Sequence, residues 1–154
     1  MAEPIINQLV EDFGISPKIF ENLALIKIGN EVYIMSRAAV AFKQIKIYRR
    51  GIKLAQQFAH SAKYATGAIQ LFGKFAAKNT VQLNYAESFM FAQGQEVTPR
   101  DKPSENIDGF VIAKYKQFSI GIGNYKDGKL KSAIPRSQVV RLGVRKGKFK
   151  HKRK

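Results

Sequence analysis

Residues 109–135, GFVIAKYKQFSIGIGNYKDGKLKSAIP, constrain the fold more than any other part of the chain. They hold three β-rich runs, GFVIAKY, FSIGIGNY and KLKSAI. Asp127-Gly128 separates the second from the third and is a strong signal for a two-residue hairpin turn, whose central positions need positive φ. Pro135 closes the third run because it has no N–H to give the ladder. QVVRLGV, 138–144, reads as a further strand. Alternation puts Phe118, Ile120 and Ile122 on a core face and Ser119, Gly121, Gly123 and Tyr125 on the other. Two glycines on one face admit a close neighbour there, either a packed helix, a barrel corner or a sugar–phosphate chain.

The same stretch superficially resembles a nucleotide cradle, but its residues exclude one. A P-loop needs a hydroxyl residue after its lysine, and Leu130 follows Lys129, within a run that reads as a β-hairpin and not as a loop opening a helix. A dinucleotide fingerprint fails too, for want of a glycine at 126 and of a following helix.

The first third predicts a small α/β unit. Ile5, Leu9, Val10 and Phe13 recur at helical spacing before Gly14, a left-handed stop. Ser16-Pro17 opens a short turn through Phe20. LALIKIGNEVYIM is a hairpin about Gly29-Asn30, Ser36 caps a short helix through Phe42, and IKIY at 45–48 resembles a strand that continues past Gly51. TGAIQLFGKFAAKN from Thr66 predicts a helix burying Ala68, Leu71, Phe72 and Phe75. Asn84 and Glu87 form a capping-box pattern at the head of NYAESFMFAQ, with Gly94 at its stop, and QEV begins a strand. TPRDKPSENID, 98–108, is a loop.

Charge identifies the partner class. The chain carries 27 Lys and Arg against 11 Asp and Glu, a formal +16, well beyond what solubility needs. Residues 32–86 contain no acid and nine cations, and nine of the last nineteen residues are basic with no acid among them. A polyanion follows, with nucleic acid favoured over an anionic membrane surface. Cysteine is absent and only His60 and His151 supply imidazoles. Thiolate chemistry and cysteine-ligated zinc are thereby excluded, and no metal or other cofactor is expected. No carboxylate pair or triad spacing points to catalysis. The amino terminus has no basic n-region and no apolar run reaches membrane-spanning length, so a cytoplasmic chain without membrane attachment is expected.

The candidate contacts are cationic. Lys74 and Lys78, four apart in a predicted helix, repel each other unless an anion lies between them. Lys129 and Lys131 share one strand face, and Arg136, Arg141, Arg145, Lys146 and Lys148 continue a basic stripe into the tail RKGKFKHKRK. The edge-strand alternative for single lysines is discouragement of strand addition. Phe149 and His151 interleave with the tail cations as possible stacking groups, while Tyr115, Phe118 and Tyr125 read as hairpin packing.

Two family resemblances add to this. Arg50-Gly51-Ile52, AESFMFAQGQEV and GFVIAKYKQFSIGIGNY resemble a PUA domain, the small pseudo-barrel of RNA-modifying enzymes and ribosome-assembly factors. AIQLFGKFAAKNTVQLNYAE followed by GFVIAKY and SIGIGNYKDGKLKSAIPR is similar to the carboxy-terminal region of Sun/Fmu-type RNA cytosine-5 methyltransferases. VYIMS and LFGKF, in a chain of this layout, also resemble Nip-type factors of large-subunit ribosome assembly. The resemblance implies RNA contact near Arg49, Arg50 and Lys53. The methyltransferases use a cysteine nucleophile and a large domain for S-adenosylmethionine, and this chain shows neither.

The expectation is therefore an α+β protein: a small α/β unit at 1–44, a PUA-like domain at 45–142 and a basic tail at 143–154. It would bind RNA without catalysis, ribosomal RNA ahead of tRNA, in ribosome assembly or on the ribosomal particle. The rivals are an accessory subunit that presents RNA to a modification enzyme, and a peripheral membrane protein using the polybasic tail.

Overall fold

A computed structural model describes residues 4–42, 51–105 and 108–139. The architecture is α+β, with two sheets and short helices. Helix α1 (Pro4–Phe13) presents Ile5, Leu9 and Phe13 on one buried stripe, the four-residue spacing of a helix face. Each such side chain contributes about 1.5–3 kcal/mol on burial. Gly14 ends the helix at φ 64°, its N–H reaching the Val10 carbonyl. A 3₁₀ turn over Pro17–Phe20 follows, without a side-chain cap from Ser16.

Strands β1 (Leu23–Ile28) and β2 (Glu31–Ser36) form the predicted hairpin about Gly29-Asn30. The Ser36 hydroxyl accepts the Ala39 N–H to cap α2 (Arg37–Val40). Strands β3 (Ile52–Gln57) and β4 (Ala62–Tyr64) then complete an antiparallel sheet in the order β1-β2-β3-β4. The first sheet thus extends to Tyr64, and residue 45 falls between its second and third strands. The 45–48 run, most of QVVRLGV and the basic tail lie outside the described residues.

Helix α3 spans only Thr66–Phe72 and gives way to a 3₁₀ turn at Gly73–Phe75. Ala68, Ile69 and Phe72 are buried as its core face, but Leu71 and Phe75 are exposed, contrary to the predicted longer helix. The cause is tertiary. Gly73 packs so close to Ser119 that a Cβ there would sit 2.7 Å from its Oγ, a contact that a glycine at this turn admits.

The second sheet runs β5-β7-β8-β9-β6, built from β5 (Thr80–Gln82), β6 (Glu96–Val97), β7 (Gly109–Tyr115), β8 (Phe118–Lys126) and β9 (Lys129–Ser132). All its pairs are antiparallel except β5 with β7. Between β5 and β6 lies α4 (Tyr85–Ala92), opened by the full capping box of Asn84 and Glu87, with Gly94 at φ 81° past its end.

Strand β7 is the common wall of two cores. Ile112 joins the cluster of α1, the first sheet and α3, while Val111 and Ala113 face the cluster of Val81, Leu83, Phe91, Val97 and Leu130. Its neighbour Lys114 is 9% exposed; its Nζ donates to the Ala76 carbonyl at 3.2 Å, and loss of water pulls its pKa down.

Simple alternation fails in β8. Ala113 pairs with Gly121 but Lys114 pairs with Ser119, so Ile120 is an extra residue, a β-bulge that changes the strand's phase. Gly121 and Gly123 face the second core, where a Cβ on Gly123 would meet Leu130 at 2.6 Å and Phe91 at 2.8 Å. The two glycines therefore admit packed side chains, Phe91 coming from a helix. Phe118, by cross-strand pairing with Tyr115, belongs to that same side of the sheet, and not to the side of Ile122.

Candidate nucleic-acid interface

The β8–β9 hairpin is built by its turn. Asp127 at φ 50° and Gly128 at φ 78° take the left-handed conformations of a two-residue primed turn. That turn fixes the register Lys126↔Lys129, Tyr125↔Leu130 and Asn124↔Lys131. Tyr125 and Leu130 pack inward. The alternate positions, Asn124, Lys126, Lys129 and Lys131, are therefore all exposed together.

Lys126 and Lys129 stand directly opposite each other, and like charges in that position destabilise a sheet. Only one carboxylate from the adjoining strand moderates them: Glu96 on β6 pairs with Lys131 in register and lies 3.7 Å from Lys129 Nζ. Both members of that ion pair are more than half exposed, which keeps its contribution small. The face is a set of cations held by backbone register with charge to spare, suited to phosphate oxygens.

Of the sequence-predicted residues, Lys129 and Lys131 are brought together here, and Arg136 is exposed in the turn beyond Pro135. Lys126 was missed, although the Asp-Gly signal itself places the flanking residues opposite one another. Lys53 is committed elsewhere: its ammonium bonds the Glu31 carboxylate across β2–β3, and the Tyr33 hydroxyl donates to the same carboxylate at 2.6 Å. These two bonds, Lys53 first, hold the Glu31 pKa below its ordinary value.

Lys74 and Lys78 do not share a helix face. Lys74 lies in the 3₁₀ turn with Nζ 4.9 Å from the Phe75 ring centre, and Lys78 lies past it, with its backbone N–H on the Phe13 carbonyl. Gly51 has its close neighbour within the fold: at φ 78°, its Cβ position would fall 2.2 Å from the Ile34 carbonyl oxygen. Arg49, Arg50, Arg141, Arg145, Lys146 and Lys148 lie outside the described residues.

A concavity of about 720 Å³ opens between α1, β4 and the start of β7 and is lined in part by Asp12, Tyr64, Asn79 and Phe110. Its polar groups tie the fold together. The Tyr64 hydroxyl donates to Asp12 Oδ2 at 2.8 Å, and the Asn79 amide donates to the Asp12 carbonyl. Burial first, then Asp12, pushes the Tyr64 phenol far up, so it stays protonated. Among the described residues, no group of three His, Asp or Glu side chains is placed to hold a metal ion, and no helix is long and apolar enough to cross a membrane.

No family model matches the chain. Curated relatives do. The chain is 25% identical over 139 residues to a protein of Aeromonas hydrophila named ribosomal RNA small subunit methyltransferase F, an overlap covering 90% of this chain and 28% of that one. Proteins of the same name from Pectobacterium atrosepticum and Psychromonas ingrahamii are 28% identical over 120 residues and 26% identical over 101. These overlaps cover 77% and 63% of this chain, and 24% and 21% of the relatives. The chain thus spans about a quarter of the length of the curated relatives it matches, and the resemblance to Sun/Fmu-type methyltransferases read from its residues extends over most of it.

Proposed function

We propose that this chain is a non-catalytic RNA-binding protein that holds structured ribosomal RNA by its phosphates, in ribosome assembly or on the ribosomal particle in the cytoplasm. The observation that carries this reading is the hairpin face of Lys126, Lys129 and Lys131, where register forces like charges together and the exposed carboxylates beside them, Glu96 and the turn residue Asp127, are fewer than the cations. A phosphate chain relieves that repulsion and releases its own counterions on binding. The formal charge of +16 supports it, as does similarity to proteins whose name specifies ribosomal RNA. The mixed five-stranded sheet with α4 against it supports the PUA-like reading of the second half.

The chain has no cysteine, so methyl transfer through a cysteine nucleophile is not assigned to it. Crosslinking in cells followed by sequencing of the bound RNA tests the proposal. Enriched structured ribosomal RNA is the expected result, and its absence overturns the reading.

A second reading rests on the same overlap of about a quarter of each relative: a module that presents RNA to a separate modification centre. Co-purification with a modification enzyme, without sedimentation alongside ribosomal particles, favours it over the first.

A further inference from the structure

At the opposite end of β8 from the lysine hairpin, four aromatic rings gather with a cation. Tyr115 closes β7 and Phe118 opens β8, and they are cross-strand partners, so both rings stand on the α4 side of the sheet. From α4, Tyr85 lies 6.2 Å from Tyr115 and 6.5 Å from Phe89, centre to centre. Two of the rings are largely in water, Tyr85 at 70% and Phe118 at 62% exposed, and Phe89 is 40% exposed.

Lys116, in the connecting turn at φ 52°, sets its Nζ 5.4 Å from the Tyr115 ring centre. Gln82 steadies that turn by donating to the Lys116 carbonyl at 3.3 Å. Residues 109–126 contain no acid. The one acid of α4, Glu87, has both carboxylate oxygens engaged by backbone N–H groups, of Asn84 and of Arg100. The cluster is therefore apolar π surface with a cation beside it, and β7, β8 and α4 supply no carboxylate free to take that cation.

We propose that this is a stacking platform for unpaired RNA bases, with Tyr85 and Phe118 offering ring faces and Lys116 meeting the adjoining phosphate. The inference rests on the RNA-binding reading and deepens it. A base–aromatic stack requires an exposed ring and tolerates any base, and the neighbouring cation selects a ligand that carries an anion with each flat ring. A protein or lipid face would supply apolar groups without that repeating charge. The nine residues of β8 put the platform roughly 26 Å from the lysine hairpin. An RNA engaging both would offer phosphates at one end and a loop or bulge at the other.

The test compares a labelled RNA stem–loop with a fully paired RNA of equal length, by fluorescence anisotropy. The proteins are the full chain, the double variant Tyr85→Ala/Phe118→Ala, and the ring-preserving double variant Tyr85→Phe/Phe118→Tyr. Circular dichroism melts confirm that each variant folds, as the exposure of both side chains leads us to expect. Expected are an affinity loss of about tenfold or more for the stem–loop with the alanine pair, a change under about twofold for the duplex, and full retention by the ring-preserving pair. Equal losses on both RNAs, or none on either, overturn the platform while leaving the RNA reading intact. Failure of the unaltered chain to bind either RNA overturns both. Self-association that the alanine pair abolishes, with stem–loop affinity unchanged, would also overturn the platform and give this face to a second copy of the chain.

Discussion

The β2–β3 and β8–β9 ladders both carry lysine on a solvent-facing side, and they dispose of its charge in opposite ways. On β2–β3, Lys53 meets Glu31, and Tyr33 binds the same carboxylate, so the charge is answered inside the protein. On β8–β9, Lys126 and Lys129 answer each other with repulsion, and Glu96 reaches only Lys129, through an exposed pair. The first arrangement stabilises a sheet and the second waits for a partner. A tally of cations along the sequence cannot tell them apart, because the distinction lies in which side chains the register brings within reach, Glu31 lying diagonal to Lys53 and Lys129 directly opposite Lys126.

The largest effect expected from breaking this contrast is on the framework side. Gly51→Ala forces a Cβ against the Ile34 carbonyl from a left-handed backbone, and should cost about 3 kcal/mol in denaturant unfolding, with RNA affinity of the folded protein unchanged. On the hairpin side, Lys126→Gln/Lys129→Gln/Lys131→Gln should weaken RNA binding on the order of tenfold or more. It should also reduce the slope of log affinity against log salt by about 3, read from salt titrations. Lys53→Gln should leave that slope unaltered.

Smaller effects sharpen the contrast. Glu96→Gln removes the carboxylate that pairs with Lys129 and should strengthen RNA binding by about twofold to fivefold at low salt, fading as salt rises. The smallest concerns pH. The folded pKa of Glu31 is depressed, so its contribution to stability is present above its ordinary value of 4.5 and is lost as pH falls through the lower, folded value. Melting curves taken down to about pH 3 should show this loss in the parent chain, and a smaller loss in Glu31→Gln.

Local signals carried much of the fold. Gly14, Gly29-Asn30, Ser36, the Asn84/Glu87 box, Gly94 and Asp127-Gly128 each sit where their backbone or capping chemistry predicts. What escaped was set by distant partners. Strands β4 and β5 have three residues each and no apolar run of their own, and β5 exists through parallel pairing with β7 some thirty positions away. Helix α3 gives way at Gly73, where the chain packs against Ser119, and the face of Phe118 is decided by a bulge at Ile120. At the interface, Lys129 and Lys131 were legible from strand period. Lys126 was readable too, from the Asp127-Gly128 turn that sets it opposite Lys129, whereas the Tyr85 and Phe118 rings needed the packing of α4 onto β7.

Strand β7 also governs how the molecule comes apart. Because Ile112 belongs to one core and Val111 and Ala113 to the other, neither cluster can open without stripping a face of the same strand. The two sheets should therefore melt in one cooperative transition, and the amides of residues 111–113 should be the last to exchange with solvent deuterium. A cut at residue 45 would divide a single folding unit, since β3 must still find β2 across it.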